Sequence, residues 1–229
     1  MNKITWIIFS IVTFGLLTGL IVYTKMTESP AIDVSKVDTA VFLKASKQNG
    51  NIADHSFGKA DSKVTFIEYG DYQCPPCGST YPTIKKITTD LKDRLHFIFR
   101  NFPISTSHPN AKAAAGTAEA AGLQGKFWEM HDKIYESQDE WSDLTGTRRT
   151  DVFIGYARKL GLDINQFKLD LASSEVTSKI NFDIAVGQKA KVNATPSFYL
   201  NGKKLDMEKL TGESALKDAI EAELKKAGE

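Results

Sequence analysis

An α/β domain with a helical insertion, preceded by a single N-terminal membrane helix, is the fold class the sequence predicts. Three observations predict it. A β-type run at 63–69 leads directly into Cys74-Pro75-Pro76-Cys77, then into a helical pattern and a second β-type run. From His108 to about Val192 apolar residues recur at helical spacing, and strand signals return only at Ser197. Ahead of these, Ile4 to Tyr23 is apolar and uncharged, and at about 1.5 Å per residue some 20 residues just span a bilayer core.

Residues 1–23 are therefore expected to form a transmembrane signal-anchor. A cleaved signal peptide is the rival reading. It would have a shorter apolar region ending in a small-x-small site, which Val22-Tyr23-Thr24-Lys25-Met26 matches poorly. Charge bias alone does not orient the segment, because Lys3 and the α-amino group face Lys25 and Lys36, softened by Glu28 and Asp33. A short N-terminal tail before one long domain places that domain outside the cytoplasm, which suits a chain whose only cysteines form one close pair. Residues 24–54 are polar and mixed, with Ser29-Pro30 and the turn signal Asn49-Gly50-Asn51. They are expected to be a tether with a short helix through Val41-Phe42-Leu43, followed by the main domain over 55–229.

Within that domain Lys63-Val64-Thr65-Phe66-Ile67-Glu68-Tyr69 is β-branched and aromatic, bounded by Asp61 and Gly70, and reads as a buried strand. After the cysteines, Ile84, Ile87 and Leu91 recur at helical spacing with Pro82 interrupting, so the pair belongs in the first turn of a kinked helix. Leu95-His96-Phe97-Ile98-Phe99 is a second strand ended by Pro103, and the resulting βαβ unit favours parallel pairing. An insertion over about 106–192 follows, with an alanine-rich stretch at 111–121, then Phe127, Met130 and Ile134, then Val152, Ala157 and Leu160, then Ile164, Phe167 and Leu171. Ser197-Phe198-Tyr199-Leu200 turns through Asn201-Gly202 into Lys203-Lys204-Leu205 as a hairpin, and Leu216, Ile220 and Leu224 mark a closing amphipathic helix.

A net charge of +1 with no basic stripe argues against a nucleic-acid partner. Two cysteines two residues apart constrain almost nothing as a crosslink, so their value is chemical and points to thiol-disulfide exchange. A zinc site would need four ligands, whereas the chain offers this pair and the scattered His55, His96, His108 and His131, so no metal is expected. At a helix N-terminus Cys74 meets unpaired N–H groups and the positive end of the dipole, which favour a thiolate nucleophile. Cys77, one turn inside, is the shielded resolving thiol. Pro75 and Pro76 lack N–H groups and so tune the couple.

The ordered set of Gly58-Lys59-Ala60-Asp61-Ser62-Lys63-Val64, Phe66 through Cys77, His108-Pro109, Gln124-Gly125-Lys126-Phe127-Trp128 and Ala194-Thr195-Pro196-Ser197-Phe198 resembles the thioredoxin fold, and specifically the DsbA-like thiol-disulfide oxidoreductases, over roughly His55 to Leu224. The resemblance implies a proton-transfer role for Glu68, whose pKa an apolar strand would raise. It also implies a cis Thr195-Pro196 bond presenting backbone to an extended peptide. Asp71 reads as solvated, His108 as a cap or packing residue of the insertion, and Trp128 as insertion core. Strongly oxidising DsbA proteins carry a histidine where this chain has Pro76. The resemblance implies no cofactor. It implies exported cysteine-containing substrates and a quinone-linked membrane partner, DsbB-like or VKOR-like, for an oxidase donating the Cys74–Cys77 disulfide. The alternatives are a reductase or isomerase kept reduced by a membrane electron donor, and a redox-inert chaperone-like binding module. Isomerases of this fold usually carry a dimerisation module, and none is evident.

Overall fold

A computed structural model describes residues 3–27, 32–210 and 212–229. The chain divides into two compact units, the first ending at Ile32 and the second running from Asp33 to Glu229. The first contains helix α1 (Lys3–Thr27). Among the described residues no helix is long and apolar enough to cross a membrane. This corrects the expectation of a transmembrane signal-anchor at 1–23, and α1 is described only as a helix.

Ser29-Pro30, in the expected tether, lies outside the described residues. Residues 33–54 pack onto the rest of the second unit. Lys189 Nζ donates to the carbonyls of Val34, Ser35 and Val37, and Arg100 donates to those of Thr39 and Val41. The helix expected through Val41-Phe42-Leu43 is absent. A 3₁₀ turn forms instead at Lys47–Asn49, where Asn49 Oδ1 accepts from the Ser46 N–H and Gly50 takes the left-handed φ of 64° that a turn of this kind needs.

The sheet comprises β1 (His55–Gly58), β2 (Thr65–Gly70), β3 (His96–Asn101), β4 (Ser197–Leu200) and β5 (Lys203–Lys204), in the order β1-β3-β2-β4-β5. β2 and β3 pair in parallel and every other pairing is antiparallel. The parallel pair is joined by α2 (Pro75–Asp90), as βαβ logic requires. β2 thus lies in the centre of the sheet, with all residues from Phe66 to Gly70 buried.

Between β3 and β4 the chain builds α3 (Ala111–Gly122), α4 (Phe127–Glu136), α5 (Gln138–Trp141), α6 (Gly146–Lys159), α7 (Ile164–Leu171) and α8 (Ser174–Lys189). The closing helix is α9 (Glu213–Ala227). Two apolar cores result. In one, Phe66, Phe97, Phe198 and Leu200 of the sheet meet Ile84 and Ile87 of α2 and Leu216, Ile220 and Leu224 of α9. In the other, Met130, Ile134, Trp141, Phe153 and Phe167 of the insertion pack with Phe99, Tyr72 and both cysteines. The alanine-rich α3 is buried nearly throughout, because small side chains let several helices approach it at once. Trp128 touches both cores and donates from Nε1 to the Ser56 carbonyl at 3.0 Å, tying insertion to sheet.

Candidate active site

β2 ends at Gly70, and the following turn delivers Cys74 as the N-cap of α2. Proline at the first helical position costs nothing, since its missing N–H would have no intrahelical partner. Both Pro75 and Pro76 therefore fit the helix start, and both are exposed. They also leave Cys77 as the first residue of the helix with an N–H to offer the Cys74 sulfur. The helix closes behind it, with the Gly78 N–H donating to the Cys74 carbonyl at 3.1 Å. Pro82 is contained within α2, which continues to Asp90.

The two thiols occupy different environments. Cys74 is 4% exposed and Cys77 fully buried. Hydrogen bonding from Cys77, with a smaller contribution from Thr195, pulls Cys74 down to about 6 against the opposing effect of burial. Burial, the hydrogen bond to Cys74 and the neighbouring Glu68 carboxyl raise Cys77 far above the ordinary thiol range. Near neutral pH one sulfur is thiolate and the other holds its proton.

Glu68 sits on β2, 4% exposed, and burial followed by the charge of Cys74 raises it to about 8. Glu68 is thus a carboxyl held inside the sheet rather than one at an edge facing water. A cavity of about 130 Å³ reaches Glu68 between α2 and α4, lined in part by Tyr81, Lys85, Trp128, His131 and Asp132. Within electrostatic reach of Glu68, Tyr72 and Tyr135 bury hydroxyls that have no hydrogen-bond partner among the described residues.

From the opposite end of the chain, the loop before β4 brings Thr195 to the same place. Its carbonyl accepts from Cys74 Sγ at 3.2 Å, its buried hydroxyl favours the Cys74 thiolate and has no other partner among the described residues, and the Thr195-Pro196 bond is cis. Cys74, Cys77, Glu68 and Thr195-Pro196 are therefore brought together, although more than a hundred residues separate the first from the last.

Two readings of neighbouring residues are corrected. Asp71 is 1% exposed rather than solvated, accepting from the N–H groups of Gln73 at 2.8 Å and Ile104 at 2.8 Å and pairing with His108 Nδ1 at 2.7 Å. His108 neither caps α3, whose N-cap is Asn110, nor packs in the insertion core; it clamps the turn that carries the cysteines. Sequence reasoning missed Gln138 altogether. Its amide donates to the carbonyls of Tyr72 at 2.7 Å and Cys74 at 3.0 Å, fastening α5 to the active turn. No local signal marks such a glutamine, because its partners lie 66 and 64 residues away. Among the described residues no group of three or more His, Cys, Asp or Glu is placed to hold a metal ion.

A family model described as thioredoxin matches residues 50–222, well over half of the chain. The chain belongs to the thioredoxin family. This thioredoxin-family protein is 35% identical over 175 residues to the probable disulfide bond formation protein D of Bacillus anthracis, a match covering 75% of this chain and 78% of that one. It shares its fold with oxidised BdbD of Bacillus subtilis at a TM-score of 0.63 and 26% identity, over 82% of this chain and 100% of BdbD. It is also 38% identical over 151 residues to Na(+)/H(+) antiporter NhaA 1 of Salinispora arenicola. That match covers 66% of this chain but 22% of the antiporter, so the chain spans about a fifth of the length of these curated relatives. The chain also shares its fold with the thiol-disulfide exchange protein alpha-DsbA2 of Wolbachia pipientis, at a TM-score of 0.62 and 20% identity over 74% of this chain and 86% of that one.

Proposed function

We propose that this thioredoxin-family protein is an extracytoplasmic thiol-disulfide oxidoreductase that donates the Cys74–Cys77 disulfide to exported cysteine-containing proteins. The observation that carries the proposal is the asymmetry of the two sulfurs, Cys74 held down to about 6 and Cys77 driven up. A substrate thiolate attacks Cys74, forming a mixed disulfide as the Cys74–Cys77 bond breaks, and Cys77 takes a proton as it leaves. Glu68, protonated at neutral pH with its pKa near 8, supplies that proton. A second substrate thiolate then attacks the substrate sulfur of the mixed disulfide. Cys74 departs as a stabilised thiolate, since a leaving thiol of low pKa leaves faster. Two electrons pass from the substrate dithiol to the protein, and a quinone-linked membrane partner, DsbB-like or VKOR-like, takes them away.

Stabilising the Cys74 thiolate stabilises the reduced protein and so makes the disulfide the stronger oxidant. With a value of about 6, Cys74 lies between the roughly 7 of thioredoxin and the roughly 3.5 of DsbA. A potential intermediate between those two proteins is expected, which still favours oxidation of substrates in an oxidising compartment.

The test is the thiol state of Cys74 and Cys77 in cells, read by acid quench, alkylation with a mass tag and gel shift. Mostly disulfide supports the oxidase. Mostly dithiol outside the cytoplasm would overturn it in favour of the reductase or isomerase. Failure of the wild-type protein to catalyse insulin reduction, with client binding unchanged in Cys74→Ala, would leave only the binding module.

A further inference from the structure

Helices α3, α6, α7 and α8 line a cavity of about 250 Å³ in the insertion that the thiol chemistry does not use. Its floor is apolar, made by Ala113 and Gly116 of α3, Phe153 of α6, Leu171 at the end of α7, and Val176 and Ile180 of α8. Gly116 keeps the floor deep, since a Cβ there would come within 3.4 Å of Leu171 Cδ1 and 3.7 Å of Val176 Cγ1.

The polar lining is one-sided. Lys112 and Arg149 face the cavity and no carboxylate does. The three threonine hydroxyls on the wall turn back onto their own helices, Thr117 to the Ala113 carbonyl, Thr150 to that of Gly146 and Thr177 to that of Ser173. The hydrogen-bonding capacity left over is therefore mainly cationic. Arg149 Nη1 donates to Asn110 Oδ1 at 2.7 Å, while its Nε is buried with no partner among the described residues. Lys112 Nζ reaches Asn181 Oδ1 only at 3.4 Å. A buried guanidinium N–H without an acceptor is costly, and a ligand that supplies one recovers that cost.

We propose that this cavity binds a small amphiphilic carboxylate, its head on Arg149 and Lys112 and its short alkyl tail over Gly116, Val176 and Ile180. A planar guanidinium matches a carboxylate, and removing the tail from water supplies the rest of the affinity. The volume falls below the roughly 300–1,000 Å³ of drug-sized sites, which calls for a smaller ligand. Asn110 fixes Arg149 before any ligand arrives, since Asn110 is itself anchored by its side-chain N–H groups to the Ser142 and Leu144 carbonyls and by its backbone N–H to Gln73 Oε1.

The experiment titrates the full chain with hexanoate and follows amide proton–nitrogen correlation spectra, with hexanol, hexylamine and inorganic phosphate as matched probes. Hexanoate should give saturable shifts confined to α3, α6, α7 and α8. Arg149→Gln should weaken it at least tenfold and Arg149→Lys less. Thr177→Trp, at the exposed rim, should abolish it while the rest of the spectrum stays unchanged, which keeps the test decisive if Arg149→Gln does not fold. Hexanol binding as tightly as hexanoate would overturn the anionic head, and phosphate binding as tightly would overturn the tail. Absence of saturable shifts, or hexanoate shifts that persist in Thr177→Trp, would overturn the site itself.

Discussion

Cys74 Sγ lies 3.2 Å from the carbonyl oxygen of Thr195 and donates to it. That contact brings the loop before β4 against the N-cap of α2, so the nucleophile and the strand edge beside it form one surface. The thiol proton used in this bond is the one lost when Cys74 ionises. The contact therefore belongs to the protonated form.

Reduced protein should show a thiolate absorbance transition near pH 6, assigned to Cys74 by its loss in Cys74→Ala. Thr195→Val removes a buried hydroxyl that favours the thiolate and should move the midpoint upward by less than about one unit. A midpoint near 8.5 in the wild-type protein would remove the basis for the sulfur asymmetry.

Glu68→Gln should stabilise the reduced protein at neutral pH. The folded pKa of Glu68 is about 8, whereas an unfolded glutamate titrates near 4.3. Between these values the native state holds a proton that the unfolded state has released, so stability falls as pH rises through this window. The substitution removes that loss, a gain on the order of 3 kcal/mol at pH 7 that vanishes below about pH 4. Urea unfolding of both proteins at pH 4 and pH 7 measures it.

The same substitution should slow exchange while leaving Cys74 reactive. Without an ionisable group beside it, Cys77 loses its proton relay, and rates that depend on Cys77 should fall on the order of 10²-fold. Stopped-flow oxidation of a dithiol peptide should show this. Alkylation of Cys74 at pH 7, which bypasses Cys77, should change far less.

Asp54→Ala should destabilise the domain strongly. Asp54 Oδ2 accepts from Arg100 Nη2 at 2.7 Å, Asp54 Oδ1 lies 3.2 Å from Lys179 Nζ, and all three side chains are fully buried. Removing one partner leaves buried charge uncompensated, a loss of roughly 3–5 kcal/mol. Because Arg100 also holds the Thr39 and Val41 carbonyls, residues 33–54 should become protease-sensitive first. Limited proteolysis at increasing urea reads the order.

The sequence shows those parts of the site whose signal is local. A β-branched run, two cysteines in one turn and a Thr-Pro before a hairpin each declare themselves within a dozen residues, and the parallel βαβ pairing follows from them. What it hides depends on partners distant in the chain. Asp71 looks like an ordinary turn aspartate until His108 and Ile104 arrive from beyond β3. Residues 33–54 look like linker because their side chains are polar and mixed; part of what holds them is donated by Arg100 and Lys189 to their carbonyls, which composition does not record. The four-residue β1 has no periodicity to read, yet it pairs with β3 along its whole length.

Gln138 spends its amide on the carbonyls of Tyr72 and Cys74. Both carbonyls are thereby satisfied within the domain, and the turn that carries the nucleophile is fixed from the insertion side. Whatever loosens α5 would therefore loosen the footing of Cys74 as well.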